Sequence, residues 1–247
     1  MTTERDGTAL LAASGLRKRF GALVVLDGVD FSVGADEAVG IVGPNGAGKT
    51  TLLSVFAGSQ RPEGGRMLFH GADITSSGAA AHCRLGIARA YQVPKPFGGM
   101  TVFENVLVAA STGGGRRGRD AYRKVAEVLD LCEMTPIANR PAESLGLLHR
   151  KRLELARALA TNPQVLLLDE IGAGLTDEEA AQLVATIREL RRQGVALVWI
   201  EHIVHVLVQV VERLVCMDAG RVIADGAPEA VMRDAAVIDA YLGSTAA

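Results

Sequence analysis

The chain has 247 residues and a formal net charge of −2, with 49% hydrophobic but only 4% aromatic residues. That length suits one large domain, or one domain with an inserted lobe, whose core is filled by Leu, Val, Ile and Ala. The near-neutral charge, without a long basic tract, argues against nonspecific nucleic-acid binding.

Cys83, Cys132 and Cys216 are far apart and form no C-x-x-C pair, so neither a disulfide framework nor a zinc site is supported. They are expected to be reduced and cytosolic. Residues 1–6 lack the apolar stretch of a signal peptide, and no window approaches 18 uninterrupted apolar residues. A protein that is soluble on its own account, able to sit against a membrane partner, is expected.

In chain order, residues 10–13, 23–26, 29–33, 38–42 and 66–69 read as strands. The first few lie close together and alternate, which suits an antiparallel layer. Strand 38–42 enters Gly43-Pro44-Asn45-Gly46-Ala47-Gly48-Lys49-Thr50, which meets the phosphate-loop pattern G-x-x-x-x-G-K-[ST] at every position. A helix opening at Thr51 and stopped by Gly58 leaves it. The three glycines allow a backbone that wraps phosphate oxygens, and the helix presents its positive dipole end to them. Lys49 can reach the β- and γ-phosphates of a nucleotide, and the Thr50 hydroxyl can ligate Mg²⁺.

Residues 88–91 form a plausible strand ending at Gln92, whose neutral amide can ligate Mg²⁺ and report the γ-phosphate to the helical lobe that it opens. From 93 to 160 strand signals vanish and helical periods dominate, at 102–110, 121–132 and 153–160. Residues 113–119, glycine- and arginine-rich, read as a flexible linker because no strand precedes them. Residues 165–168 are a buried strand ending in Asp169 and Glu170. Asp169 can hold a water of a hard cation, and Glu170 can orient and polarise an attacking water. A helix at 178–193 leads to strand 195–200, which ends at Glu201-His202; there His202 points toward a ligand crevice and can bond a γ-phosphate. Residues 220–226 read as a hairpin strand, followed by a last helix through Tyr241. Phe20 either stacks on adenine or fills the core of an edge strand. His70, His82, His149 and His205 read as solvated or local.

In this order, these residues resemble the ATP-binding cassette (ABC) family of transporter ATPases over about residues 10–243. The resemblance implies an α/β phosphate-loop NTPase cassette with a mixed core sheet and an antiparallel β-layer. Residues 10–92 and 161–243 would form the catalytic core and 93–160 the inserted helical subdomain. It implies binding of ATP and Mg²⁺ by residues 43–51, Phe20, Gln92 and Asp169, with Lys49, Glu170 and His202 catalytic. It also implies dimers that sandwich two ATP molecules, each phosphate loop facing the partner's L-S-G-G-Q signature. The corresponding stretch here is Leu145-Gly146-Leu147-Leu148-His149. Gly146 stands where the serine belongs and leucines replace both glycines; Ser144 substitutes only with a register shift.

Residues 17–31, 91–106, 201–202 and 225–243 look most like ATPases of branched-chain amino acid importers. Such ATPases pair with a second, different ATPase, two membrane permease subunits and a solute-binding protein, at the cytoplasmic face of the membrane. Relatives carry amides and urea, so related amino acids or amides are included. Exporter-type cassettes, for example for lipopolysaccharide, soluble cassettes acting on DNA or ribosomes, and non-hydrolysing regulators are the alternatives. The missing second cassette and the carboxylate of Glu170 argue against the last two.

Overall fold

The computed structural model describes residues 9–243. Strands β1 (Ala9–Phe20) and β2 (Leu23–Gly34) form a long hairpin; β3 (Ala38–Val42) leaves it for a second sheet. After helix α1 (Lys49–Phe56), β4 (Gly64–Phe69) and β5 (Ala72–Asp73) complete an antiparallel sheet of order β2-β1-β4-β5. The strands expected at 23–26 and 29–33 are one strand. Asp27 and Val29 oppose the consecutive residues Arg17 and Leu16, so Gly28, at φ 74°, is the extra residue of a bulge. The strand at 10–13 runs on to Phe20, since pairing with β2 on one side and β4 on the other overrides its charged Arg17-Lys18-Arg19 stretch.

The second sheet adds β6 (Ile87–Ala90), β7 (Val165–Asp169), β8 (Ala196–Ile200), β9 (Arg213–Asp218) and β10 (Arg221–Gly226), in the order β10-β9-β3-β8-β7-β6. All neighbours are parallel except β10, which runs antiparallel to β9. β9, an internal strand between β3 and β10, was not expected from the sequence. Its signal is the short apolar run Leu214-Val215-Cys216-Met217.

Helix α2 (Ala79–Leu85) precedes β6. Between β6 and β7 come α3 (Val102–Val108) with a π-helical turn at Ala109–Gly113, then α4 (Gly118–Leu131) and α5 (Leu147–Ala160). The only β-pairing in this segment among the described residues is the bridge Thr101–Pro141. Two expectations need correction. The helix placed at 153–160 starts six residues earlier, at Leu147. The stretch 113–119 is only partly a linker, because Gly113 closes the π turn and Gly118 opens α4, where Arg116 pairs with Asp120 at 2.8 Å. Helices α6 (Asp177–Arg192), α7 (Val204–Leu207), α8 (Pro228–Val231) and α9 (Ala235–Gly243) complete the chain.

The central sheet separates two apolar cores. Leu166, Leu168, Leu197 and Trp199 face one core with Val106, Val128, Leu153 and Ile187. Val165, Leu167, Val198 and Ile200 face the other with Leu16, Phe31, Leu52 and Phe56. β3, β7 and β8 are buried at every position, which requires covered faces and explains their continuous apolar runs. Because these strands are parallel and in register, with Ile41 and Asp169 both opposite Ile200, their carboxyl ends open at one edge. That edge carries the chemistry.

Candidate nucleotide site

The phosphate loop follows β3 directly. Gly43, Gly46 and Gly48 have φ of 140°, 82° and 97°, conformations that favour glycine. At Gly43 a Cβ would lie 2.0 Å from the Met217 carbonyl oxygen, and at Gly48 it would lie 2.5 Å from that of Val25. The loop is thus wedged between β9 and β2. Gly48 is the left-handed N-cap of α1. Lys49 is 5% exposed, and its ammonium donates to the carbonyls of Gly43 (2.7 Å) and Pro44 (2.9 Å). Burial lowers its pKa, opposed by the nearby Glu170, Cys216 and Asp169. Asn45, Gly46 and Thr50 are exposed, while Ala47 is buried and Thr51 half-buried.

Across from the loop, Thr50 Oγ1 lies 3.5 Å from Asp169 Oδ1 at the end of β7. The next residue, Glu170, adopts φ 47°, unusual for a side chain with a Cβ. Its carboxylate accepts from Gln92 Nε2 at 2.5 Å and lies 2.9 Å from His202 Nε2. Gln92, Glu170 and His202 are therefore brought together, from three separate stretches of chain. A hydroxyl and a carboxylate are hard oxygen donors that suit Mg²⁺, so Thr50 and Asp169 fit such an ion. Gln92 Nε2 is engaged by Glu170 instead. Among the described residues no group of three His, Cys, Asp or Glu gathers as a metal cluster.

Phe20 does not fill a core: it is 48% exposed, with the Lys18 ammonium 5.3 Å from its ring centre. It pairs with Leu23 at the hairpin end, two residues before the Val25 carbonyl that packs against Gly48. Of the histidines read as solvated or local, His82 is the exception, 1% exposed with its ring nitrogens against the carbonyls of Phe56 (2.8 Å) and Ile74 (3.2 Å). Gly146 is the N-cap of α5. Ser144 lies in the preceding 3₁₀ turn, its hydroxyl donating to the Pro141 carbonyl at 2.8 Å.

Several site residues escaped the sequence reading. Arg89 pairs with Asp169 at 2.5 Å. Lys151 of α5 is 3% exposed and donates to the carbonyls of Gln92 (3.3 Å) and Glu170 (3.5 Å). Glu201, 3% exposed, accepts from the Gly172 amide at 2.7 Å; its burial raises its pKa. Tyr241 of α9 accepts from the Gly43 amide at 2.9 Å. The available signal was charge inside apolar periods, such as Arg89 within Ile-Ala-Arg-Ala, because a buried charge requires a partner.

A strand-to-helix phosphate loop beside a carboxylate-ended parallel strand defines a phosphate-loop nucleotide-binding protein. The family model described as ABC transporter matches residues 26–173, and the one described as branched-chain amino acid ATP-binding cassette transporter matches residues 221–247. The chain belongs to the ABC transporter ATP-binding cassette family. It is 36% identical to the high-affinity branched-chain amino acid transport ATP-binding protein BraF of Pseudomonas aeruginosa, over 95% of this chain and 98% of that one. It is 34% identical to LivG of Escherichia coli over the same shares. Among solved structures, an ATP-binding cassette of an ABC transporter in its ADP conformation superposes with a TM-score of 0.84 at 30% identity, covering 95% of this chain and 99% of that one. No helix among the described residues is long and apolar enough to cross a membrane.

Proposed function

We propose that this ATPase energises the uptake of branched-chain amino acids, or of related amino acids and amides, as the cassette subunit of an importer. ATP binds at residues 43–51, with Phe20 stacking on the base. On binding, Lys49 exchanges the Gly43 and Pro44 carbonyls for phosphate oxygens. Thr50 and Asp169 would hold Mg²⁺, with the Gln92 amide oxygen as a further donor, and the ion would offset the charge of the phosphates. Glu170 orients the attacking water and accepts its proton. His202 and Gln92 hold the Glu170 carboxylate until the γ-phosphate arrives, and His202 then turns to that phosphate. The single observation that carries this reading is the convergence of Gln92 and His202 on Glu170, one residue from an Asp169 that faces Thr50.

Residues 10–92 and 161–243 act as the catalytic core and 93–160 as the helical subdomain that meets the membrane subunits. The protein sits at the cytoplasmic face of the membrane against transmembrane permease subunits. It is paired there with a second, different cassette and served by a solute-binding protein. The substrate class rests on the names of the similar proteins and on the separate match of residues 221–247. The test is the ATPase rate of the reconstituted complex with its binding protein. Leucine, isoleucine, valine or a related amide is expected to stimulate it severalfold. Stimulation by a lipid substrate and by none of these solutes would overturn the reading.

A further inference from the structure

The charge of Asp169 is already answered from within the chain. Arg89, on β6, places Nη2 2.5 Å from Asp169 Oδ2 and Nη1 2.9 Å from Ser54 Oγ on α1. Its guanidinium carbon lies 4.6 Å from the centre of the Tyr91 ring. The two side chains of the ion pair are only 6% and 4% exposed. Arg89 Nε is buried without a hydrogen-bond partner. An arginine gripped by a carboxylate, a hydroxyl and a ring is a fixed charge, unlike a surface arginine that trades partners with water. Asp169 Oδ1 is left facing the Thr50 hydroxyl.

We propose that Arg89 is a built-in counter-ion of Asp169, with which an incoming divalent cation competes, so that Arg89 sets the Mg²⁺ concentration at which nucleotide binds. The inference rests on reading Thr50 and Asp169 as the cation site. Without a cation, a buried Asp169 needs a positive neighbour, and Arg89 supplies it. A cation at Thr50 and Asp169 Oδ1 would meet this fixed positive charge on the other oxygen of the same carboxylate. The two repel across a poorly hydrated space, and cation affinity falls accordingly. β6 leads directly into Gln92, whose amide holds Glu170, so residues 89–92 grip both acids of the site. Arg89 is thus a positioning residue that acts through Asp169.

The test is binding of a fluorescent ATP analogue to the full-length chain, titrated with free Mg²⁺. Arg89→Gln should lower the Mg²⁺ concentration at half-binding about tenfold or more, the scale on which a close opposite charge shifts a carboxylate equilibrium. Arg89→Lys, which retains the charge, should stay near the wild-type value. Ser54→Ala, which frees one arm of the guanidinium, should shift in the same direction as Arg89→Gln but less, and it decides the matter if Arg89→Gln does not fold. An unchanged or raised Mg²⁺ requirement in Arg89→Gln, or no shift in Ser54→Ala when Arg89→Gln is unfolded, overturns the proposal. Binding by the wild-type chain that ignores Mg²⁺ would instead remove the cation-site reading beneath it.

Discussion

At the scale of single residues, the site is a set of charges held by partners from the chain itself: carbonyls for Lys49, side-chain donors for Asp169 and Glu170. Lys49 is buried at the start of α1 and bonded to two carbonyls of its own loop, so its ammonium is aimed before any phosphate arrives. Lys49→Ala is expected to abolish tight ATP binding, measured by calorimetry, while circular dichroism stays native, because the change removes a charge-assisted phosphate contact and takes no apolar side chain from either core. Glu170→Gln keeps the shape of the side chain and removes the proposed base. Turnover with the partner subunits should fall about 10²–10⁴-fold while nucleotide affinity persists. Unchanged turnover would remove Glu170 from the reaction. Glu201 gives a pH-dependent counterpart. Burial raises its pKa, so the folded chain holds its proton more tightly than the unfolded one. Stability from this group is therefore present below the ordinary glutamate range and is lost as pH rises through the raised value. Glu201→Gln retains an oxygen acceptor for the Gly172 amide and cannot ionise. Its melting temperature should match or exceed wild type at pH 7–8, and that relative gain should shrink toward pH 4.

At the scale of elements, the helix starts are written in the sequence. Thr101 with Glu104 opens α3 and Thr176 with Glu179 opens α6, each as a reciprocal capping box. α6 also has three acids in its first turn and two arginines in its last, matching the helix dipole. Thr176→Ala should cost about 1 kcal/mol and lower the melting temperature by about 2–4 °C for a chain of this size. The phosphate loop, β3, β7, β8 and the residues ending them were legible because buried parallel strands are continuous apolar runs closed by polar chemistry. β9 was not, since four apolar residues between Arg213 and Asp218 give no period to read. Nor was the unity of β2, because Gly28 breaks the alternation that a bulge tolerates. Arg89, Lys151 and Tyr241 owe their places to long-range packing: their partners lie 80, 59 and 198 residues away.

At the scale of the whole molecule, the proposed pairing of cassettes would draw on two ends of this chain. One end, the phosphate loop with Asp169, Glu170 and His202, brings together the side chains that the proposed chemistry asks for. The other, the start of α5, does not. Its N-cap is Gly146, without a side-chain capping bond, and Leu147 behind it is 45% exposed. Gly146, Leu147 and Leu148 supply no side-chain donor to a γ-phosphate. His149 adds no positive charge there at neutral pH, because burial and then Arg152 and Arg140 hold its pKa below the ordinary histidine value. Ser144 is three residues short of the helix and bonded to Pro141. What remains is the row of free amides opening α5, enough to attract phosphate but lacking the directed donors that stabilise charge as it develops. In a heterodimer, the site built on the partner's phosphate loop should therefore bind ATP and turn it over slowly. The site built on Lys49 and Glu170, completed by the partner's signature, should carry most of the hydrolysis. Glu170→Gln in this chain should then abolish most steady-state turnover of the complex, whereas the equivalent change in the partner should leave most of it. The purified chain alone, forced to pair two such α5 ends, should be a weak ATPase even at high concentration. Full activity of the isolated chain, or equal losses from the two substitutions, would sink the asymmetry and would mean that the amides of α5 suffice.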